Sequence, residues 1–185
     1  MTVYMGRKFY QQPGDAYELT YRFNTIKKDG YFSSVAIASD GPLGTSDYHI
    51  DVEVISVDDQ SFGRIYVSNQ RSWISSIAMS IYLATKGKNK QGIKVVDHDD
   101  QGVPIYSKGE TGVAERNLLR YYFAFTAFFD KFGEQDDHRR HESQLAFWFA
   151  QTQQFPQLYE MSEEDYVTGK RKERVNQIEL QQTHH

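Results

Sequence analysis

The hydrophobic period of this chain changes at Ser72, and that change bounds what it can fold into. Ahead of it, residues 49–57 (HIDVEVISV) alternate without a break, with Ile50, Val52 and Val54 on one side and Asp51 and Glu53 on the other. Period two marks a strand with one buried face. Residues 16–26 alternate more loosely, and residues 31–38 form another run, bounded by Asp29-Gly30 and Asp40-Gly41-Pro42. Gly supplies positive φ and Pro presets a turn, so both boundaries read as turns. Residues 62–68 return after Asp58-Asp59-Gln60-Ser61 as the second arm of a hairpin. From Trp73 the spacing becomes three and four. Trp73, Ile74, Ile77, Ala78, Ile81 and Tyr82 form one stripe, with Ser72 or Asn69 as N-cap and Gly87 as the stop. Such a stripe is expected to face the protein's own core.

The second half keeps the helical period. Residues 86–94 (KGKNKQGIK) read as a flexible basic loop, followed by a short hairpin over 93–97 and 103–107. A helix over 113–132 carries Leu118, Leu119, Tyr122, Phe125, Phe128 and Phe129 and ends at Gly133. A second runs over 136–154 and stops before Pro156. Ser162-Glu163-Glu164-Asp165 opens a third. Its apolar residues (Tyr166, Val167, Val175, Ile178, Leu180) are so sparse that it is either loosely docked or completed by a partner. The expected class is α+β: an antiparallel sheet in the N-terminal half, one inserted helix near 72–86, and a C-terminal layer of about three helices packed against the sheet. The expected organisation is a single domain over 1–185, strand-rich over 1–110, helical over 111–160, with a charged helix or tail over 161–185.

Composition removes several function classes. Cysteine is absent, which excludes a disulfide framework, a zinc ribbon, an iron–sulfur cluster and a thiol nucleophile. The formal charge of −4 is the wrong sign for coating nucleic acid by charge alone. The N-terminal segment lacks the apolar core of a secretory signal, and no run approaches the about 18–20 apolar residues of a membrane helix, so a soluble cytoplasmic protein is expected. His184-His185 follow a polar tail and are assigned no function. Aromatic residues make up 15 % of the chain, an excess that suits a binding surface or a core equally.

Two clusters carry groups that could do chemistry. Asp97-His98-Asp99-Asp100 offers carboxylates and an imidazole for a divalent metal. Alternation along a strand separates Asp97 and Asp99 from His98 and Asp100, and Lys108 stands where a calcium loop needs its twelfth-position Glu. A turn explains the stretch better, and Val57-Asp58-Asp59-Gln60 repeats the chemistry without a histidine. Asp136-Asp137-His138-Arg139-Arg140-His141-Glu142 puts Asp137 with His141, and His138 with Glu142, on shared helix faces. HRRHE matches neither order of the zinc-helix motif, and a metal on His138, His141 and Glu142 would need a distant ligand such as His49 or His98. A solvated first helical turn is the simpler reading. The nucleophile elbow, the SxxK start and a phosphate-cradling glycine loop are all missing, so no cofactor is expected.

The function expected from these residues is binding of another macromolecule, most simply a protein, in the manner of an inhibitor, immunity or accessory protein, without catalysis. A helix cannot turn three consecutive aromatics to one side. Tyr121-Tyr122-Phe123 and Phe147-Trp148-Phe149 must therefore each present a ring beyond one core face, which makes Tyr121, Phe123, Phe147 and Trp148 candidate contacts and homodimerisation an expectation. One alternative is single-strand nucleic-acid binding on a barrel-like Greek-key sheet, with exposed rings stacking bases. Lys88 and Lys90, with Lys86, Lys94, Lys27 and Lys28, would then line a basic groove, and Lys170-Arg171-Lys172 would add a second cluster. A second alternative is a metal-dependent hydrolase built on the two clusters.

Overall fold

The computed structural model describes residues 1–6 and 9–183, and the backbone alone at Leu43, Trp73, Ile74, Ser75 and Ala78. The protein is α+β, with antiparallel sheets in the N-terminal half and helices in the C-terminal half. It divides into two compact units, Met1–Met79 with Asn176–His185, and Ser80–Val175. No helix among the described residues is long and apolar enough to cross a membrane.

The first unit holds β1 (Thr2–Met5), β2 (Tyr17–Thr20), β3 (Arg22–Lys28), β4 (Tyr31–Asp40), β5 (Thr45–Val57) and β6 (Gln60–Arg71). The loose alternation over 16–26 is two strands, not one. It breaks at Tyr21, whose N–H donates to the Met1 carbonyl at 2.8 Å, and β2 leaves to pair with β1. Strands β3 to β6 form an open meander in chain order, while β7 (Val95–His98) pairs only with β8 (Pro104–Tyr106). The expected barrel-like Greek key is thereby corrected. Each neighbouring pair of long strands is joined by a short local turn, and among the described residues no strand crosses over to close a ring.

The β5–β6 turn is tighter than the four residues expected, because Val57 pairs with Gln60 and leaves only Asp58 and Asp59 in the loop. Asp58 sits at φ 53, in the left-handed region that suits hairpin turns but burdens a residue with a Cβ. Asp58→Gly is therefore expected to stabilise the protein by about 0.5–1 kcal/mol, read from the urea midpoint at unchanged slope. Asp47, at φ 51, marks the bulge where pairing slips between Ser46 and His49.

The second unit contains α2 (Gly109–Asp130), α3 (Asp137–Gln153), a 3-10 turn at Pro156–Leu158 and most of α4 (Glu163–Thr183). Phe123 and Ala127 of α2, Leu145 and Phe149 of α3, and Leu158 form its buried centre. These recur at the three-to-four spacing that puts them on single helix faces. Asp136 caps α3 by accepting the Arg139 N–H at 2.7 Å, and Ser162 accepts the Asp165 N–H at 3.1 Å at the start of α4. The helix after Ser72 is α1 (Trp73–Ala84), close to its expected span. Its stripe does not face a core at Ile77 and Ile81, which are exposed. The side chains of Trp73, Ile74 and Ala78 lie outside the described residues, as do His184 and His185.

Candidate contact surfaces

In the first unit, side chains of paired residues share a face of the sheet. Phe23, Ala36, Ile50 and Val67 therefore form one row, Val52 and Ile65 a second, and Phe32 and Val54 a third. Leu19 and Tyr21 cover one end of this face by packing on Ala36 and Ala38, with Val3, Tyr48 and Ile50 around them. Beyond this cover the face is open: Phe23 and Val67, at the two edges of the Ala36 row, and Phe32 and Ile65 further along are all exposed. The opposite face is mixed, with Ile26, Ile37, Ile55 and Phe62 exposed among charged residues. Arg64 bridges Asp51 and Glu53 there, and His49, considered above as a distant metal ligand, lies edge-on to Tyr66 at 6.3 Å.

In the second unit the two aromatic triplets separate as helix geometry requires. Phe123 is 6 % exposed and meets Phe155 at 5.8 Å; Tyr121 and Tyr122 point outward. Phe149 is buried, and Phe147 is half-buried with Lys131 Nζ 5.7 Å from its ring centre. Trp148 stacks on Tyr166 of α4 at 4.5 Å and 13°, and its Nε1–H donates to the Arg120 carbonyl at 3.1 Å. Phe123 and Trp148 thus serve the interior of the unit, which corrects their reading as outward contacts. Both lie on the sides of their helices that meet the rest of the helical layer.

The cluster at the start of α3 has a structural use. Asp137 accepts from Arg140 and Arg174, and Glu142 accepts from Arg171 at 2.9 and 2.6 Å. The acidic turn of α3 is the seat for the basic stretch of α4. Charge complementarity between DDHRRHE and KRKER was the available signal, and it explains how a helix with few apolar residues docks. Lys170, from the basic run considered for nucleic acid, pairs instead with Glu173. A shallow groove of about 490 Å³ runs beside this seam, lined by Leu145, Ala146, Val167 and the charged Glu142, Glu163, Glu164 and Arg171.

The arginines hold Asp137 and Glu142 below the ordinary carboxylate range, while burial, then Arg174, lowers His141. His141 is thus neutral in the fold, and the unfolded chain takes up its proton first as pH falls below 6.5. The two carboxylates contribute stability that is present above their unfolded values of 3.8 and 4.5 and is lost as pH falls through their lower folded values. Denaturant midpoints are expected to fall in two stages between neutrality and strong acid. His141→Gln should remove the upper stage alone.

The 97–100 cluster closes a hairpin. Asp99 accepts the N–H groups of Gln101 and Val103 at 2.9 and 2.8 Å, and Asp97 accepts that of His98 at 2.8 Å. Gly102 sits at φ 76 and donates to the Asp99 carbonyl. This turn spans more residues than the Asp58-Asp59 turn, so the repeated tripeptide does not mark one turn type. Among the described residues, no three His, Asp or Glu side chains are grouped as a metal site would need.

The basic loop over 86–94 is not the free segment expected. Arg116, a buried guanidinium, donates to the Gln91 carbonyl at 2.6 Å, and Glu115 accepts from the Ile93 N–H, the Lys94 N–H and the Ser107 hydroxyl at 2.8, 3.0 and 2.6 Å. Lys90 pairs with Glu160 at 2.8 Å, while Lys88 is exposed. Lys27 and Lys28 stand on β3 in the other unit. Nothing in the sequence pattern announced Glu115 as the anchor of this loop. No family model, curated protein or solved structure matches the chain.

Proposed function

We propose that the protein acts in the cytoplasm by binding another protein, without catalysis of its own. The observation that carries this reading is the apolar surface left open. The open end of the sheet face supports a docking role. Phe32, Val52, Val54, Ile65 and Val67 are neighbours on this face and form an apolar patch, which is the usual mark of an interaction surface.

The test is retention of a partner on immobilised protein. The wild type is expected to hold a discrete protein at fixed stoichiometry, and Ile65→Lys with Val67→Lys is expected to lose it while keeping the circular dichroism of the wild type. The purified protein is expected to carry no stoichiometric metal and to show no salt-sensitive affinity for oligonucleotides. Metal lost on replacing His138 or His141 would return the hydrolase reading. Oligonucleotide binding that weakens steeply with salt would return the nucleic-acid reading.

A further inference from the structure

Helix α2 has two apolar sides. Gly112, Arg116, Phe123 and Ala127 are buried along one. Directly opposite, Leu118, Tyr121, Tyr122, Phe128 and Phe129 are exposed, with Phe132 just beyond the helix end and Phe125 half-buried among them. At 100° per residue these seven side chains centre on the line farthest from the buried side. Six of them show between 47 % and 66 % of their surface. The rings are already assembled, with Phe128 5.5 Å from Phe129 and 5.7 Å from Phe132.

We propose that this face binds a second copy of the chain, with two α2 helices packed antiparallel about a two-fold axis at Phe125. The inference deepens the protein-binding reading and rests on it, with the partner here being the protein itself. Three observations select that occupant. The stripe is palindromic: 118, 121, 122, 125, 128, 129 and 132 are spaced symmetrically about 125. An isologous pair needs that symmetry, because each residue must meet the counterpart of its own partner. The axis sets Leu118 against Phe132, Tyr121 against Phe129, and Tyr122 against Phe128.

Charge is the second. Between Arg116 and Asp130 the only charged side chain is Arg120, and it is turned inward to the Leu158 carbonyl and Glu160. The face therefore carries nothing to repel its own copy and nothing to select a charged partner. Area is the third. With an aromatic side chain worth about 200 Å² when fully buried, the six exposed members offer about 650 Å². The exposed Ala114, Asn117 and Ala124 along the margins bring this toward the about 800 Å² per partner of a stable interface.

The absence of cysteine makes the test clean. Under mild oxidation, Phe125→Cys on the axis is expected to cross-link to itself, Leu118→Cys alone is not, and Leu118→Cys mixed with Phe132→Cys is. In sedimentation equilibrium the wild type is expected to dimerise. Phe128→Glu should raise the dissociation constant about thirty-fold or more, and mixing it with Tyr122→Lys should restore a dimer. The cysteine variants carry the test if the charged ones unfold. A chain that stays monomeric at all concentrations overturns the proposal, whether or not it sediments with phosphatidylcholine vesicles, which would hand the face to a membrane surface. So does a dimer indifferent to these substitutions, or one in which Leu118→Cys cross-links alone. Partner retention by the sheet face is measured separately, on Ile65→Lys with Val67→Lys, so loss of the dimer and loss of the protein-binding reading are told apart.

Discussion

Trp148→Ala is expected to lower the stability of the helical unit by about 3–4 kcal/mol, read from denaturant midpoints. The ring stacks flat on Tyr166, which brings α4 onto α3, and its N–H adds a further hydrogen bond to the Arg120 carbonyl of α2. Truncation removes the stack, opens a void beside Phe149, which lies 5.8 Å from the same Tyr166 ring, and loses the tie from α3 to the Arg120 carbonyl of α2. The ion pairs that remain between α3 and α4 are solvent-exposed, and pairs of that kind contribute about 0–1 kcal/mol each. They cannot hold α4 alone. Trp148→Phe keeps a stacking ring and loses only the N–H, so it should cost about 1–1.5 kcal/mol. A loss under about 1 kcal/mol for the alanine variant would mean that the ion pairs dominate this seam, contrary to their expected worth.

Gly92→Ala is expected to be comparably damaging, at about 3–4 kcal/mol. A Cβ on Gly92 would stand 2.0 Å from Ser107 Oγ, 2.5 Å from Glu115 Oε2 and 2.8 Å from the Gly112 Cα. The last is backbone and cannot swing away. Gly112 reciprocates, since its Cβ would meet the Gly92 nitrogen at 3.0 Å. This mutual approach lets the Gly92 N–H reach the Ser107 carbonyl at 2.6 Å and places the Glu115 carboxylate under its three donors. Those bonds also hold the Glu115 carboxyl below its ordinary range. Glu115→Gln keeps the shape and weakens the charge-assisted bonds, so it should cost about 1.5–2 kcal/mol. Because both changes break one network, the double variant should cost less than their sum.

Hydrophobic period revealed the long strands and the helices because each buries one side, and that requirement writes a period into the sequence. It did not reveal where residues 16–26 divide, because the same alternation runs through two strands that pair with different neighbours. The strand at Thr2–Met5 went unread for a related reason: its four residues are too short to show a period. The Gly92–Gly112 contact was illegible because it joins residues twenty positions apart through the absence of side chains. Glu115 looked like any surface carboxylate on a helix. For the candidate surfaces, the aromatic triplets correctly implied rings on more than one side of each helix. Period alone could not say that Tyr121 and Tyr122 point outward while Phe123 points inward, because both sides of α2 are apolar.

Adjacent residues on a strand point to opposite faces, and β6 turns this into a direct test of the proposed binding. A photo-crosslinking amino acid placed at Val67 reports on the face proposed to dock a partner, and the same group at Tyr66 reports on the opposite face, from neighbouring and equally exposed positions. Irradiated in native cells, the Val67 variant is predicted to give one discrete protein adduct and the Tyr66 variant none. Equal labelling at both positions, no protein adduct at Val67, or an adduct with nucleic acid would contradict the account.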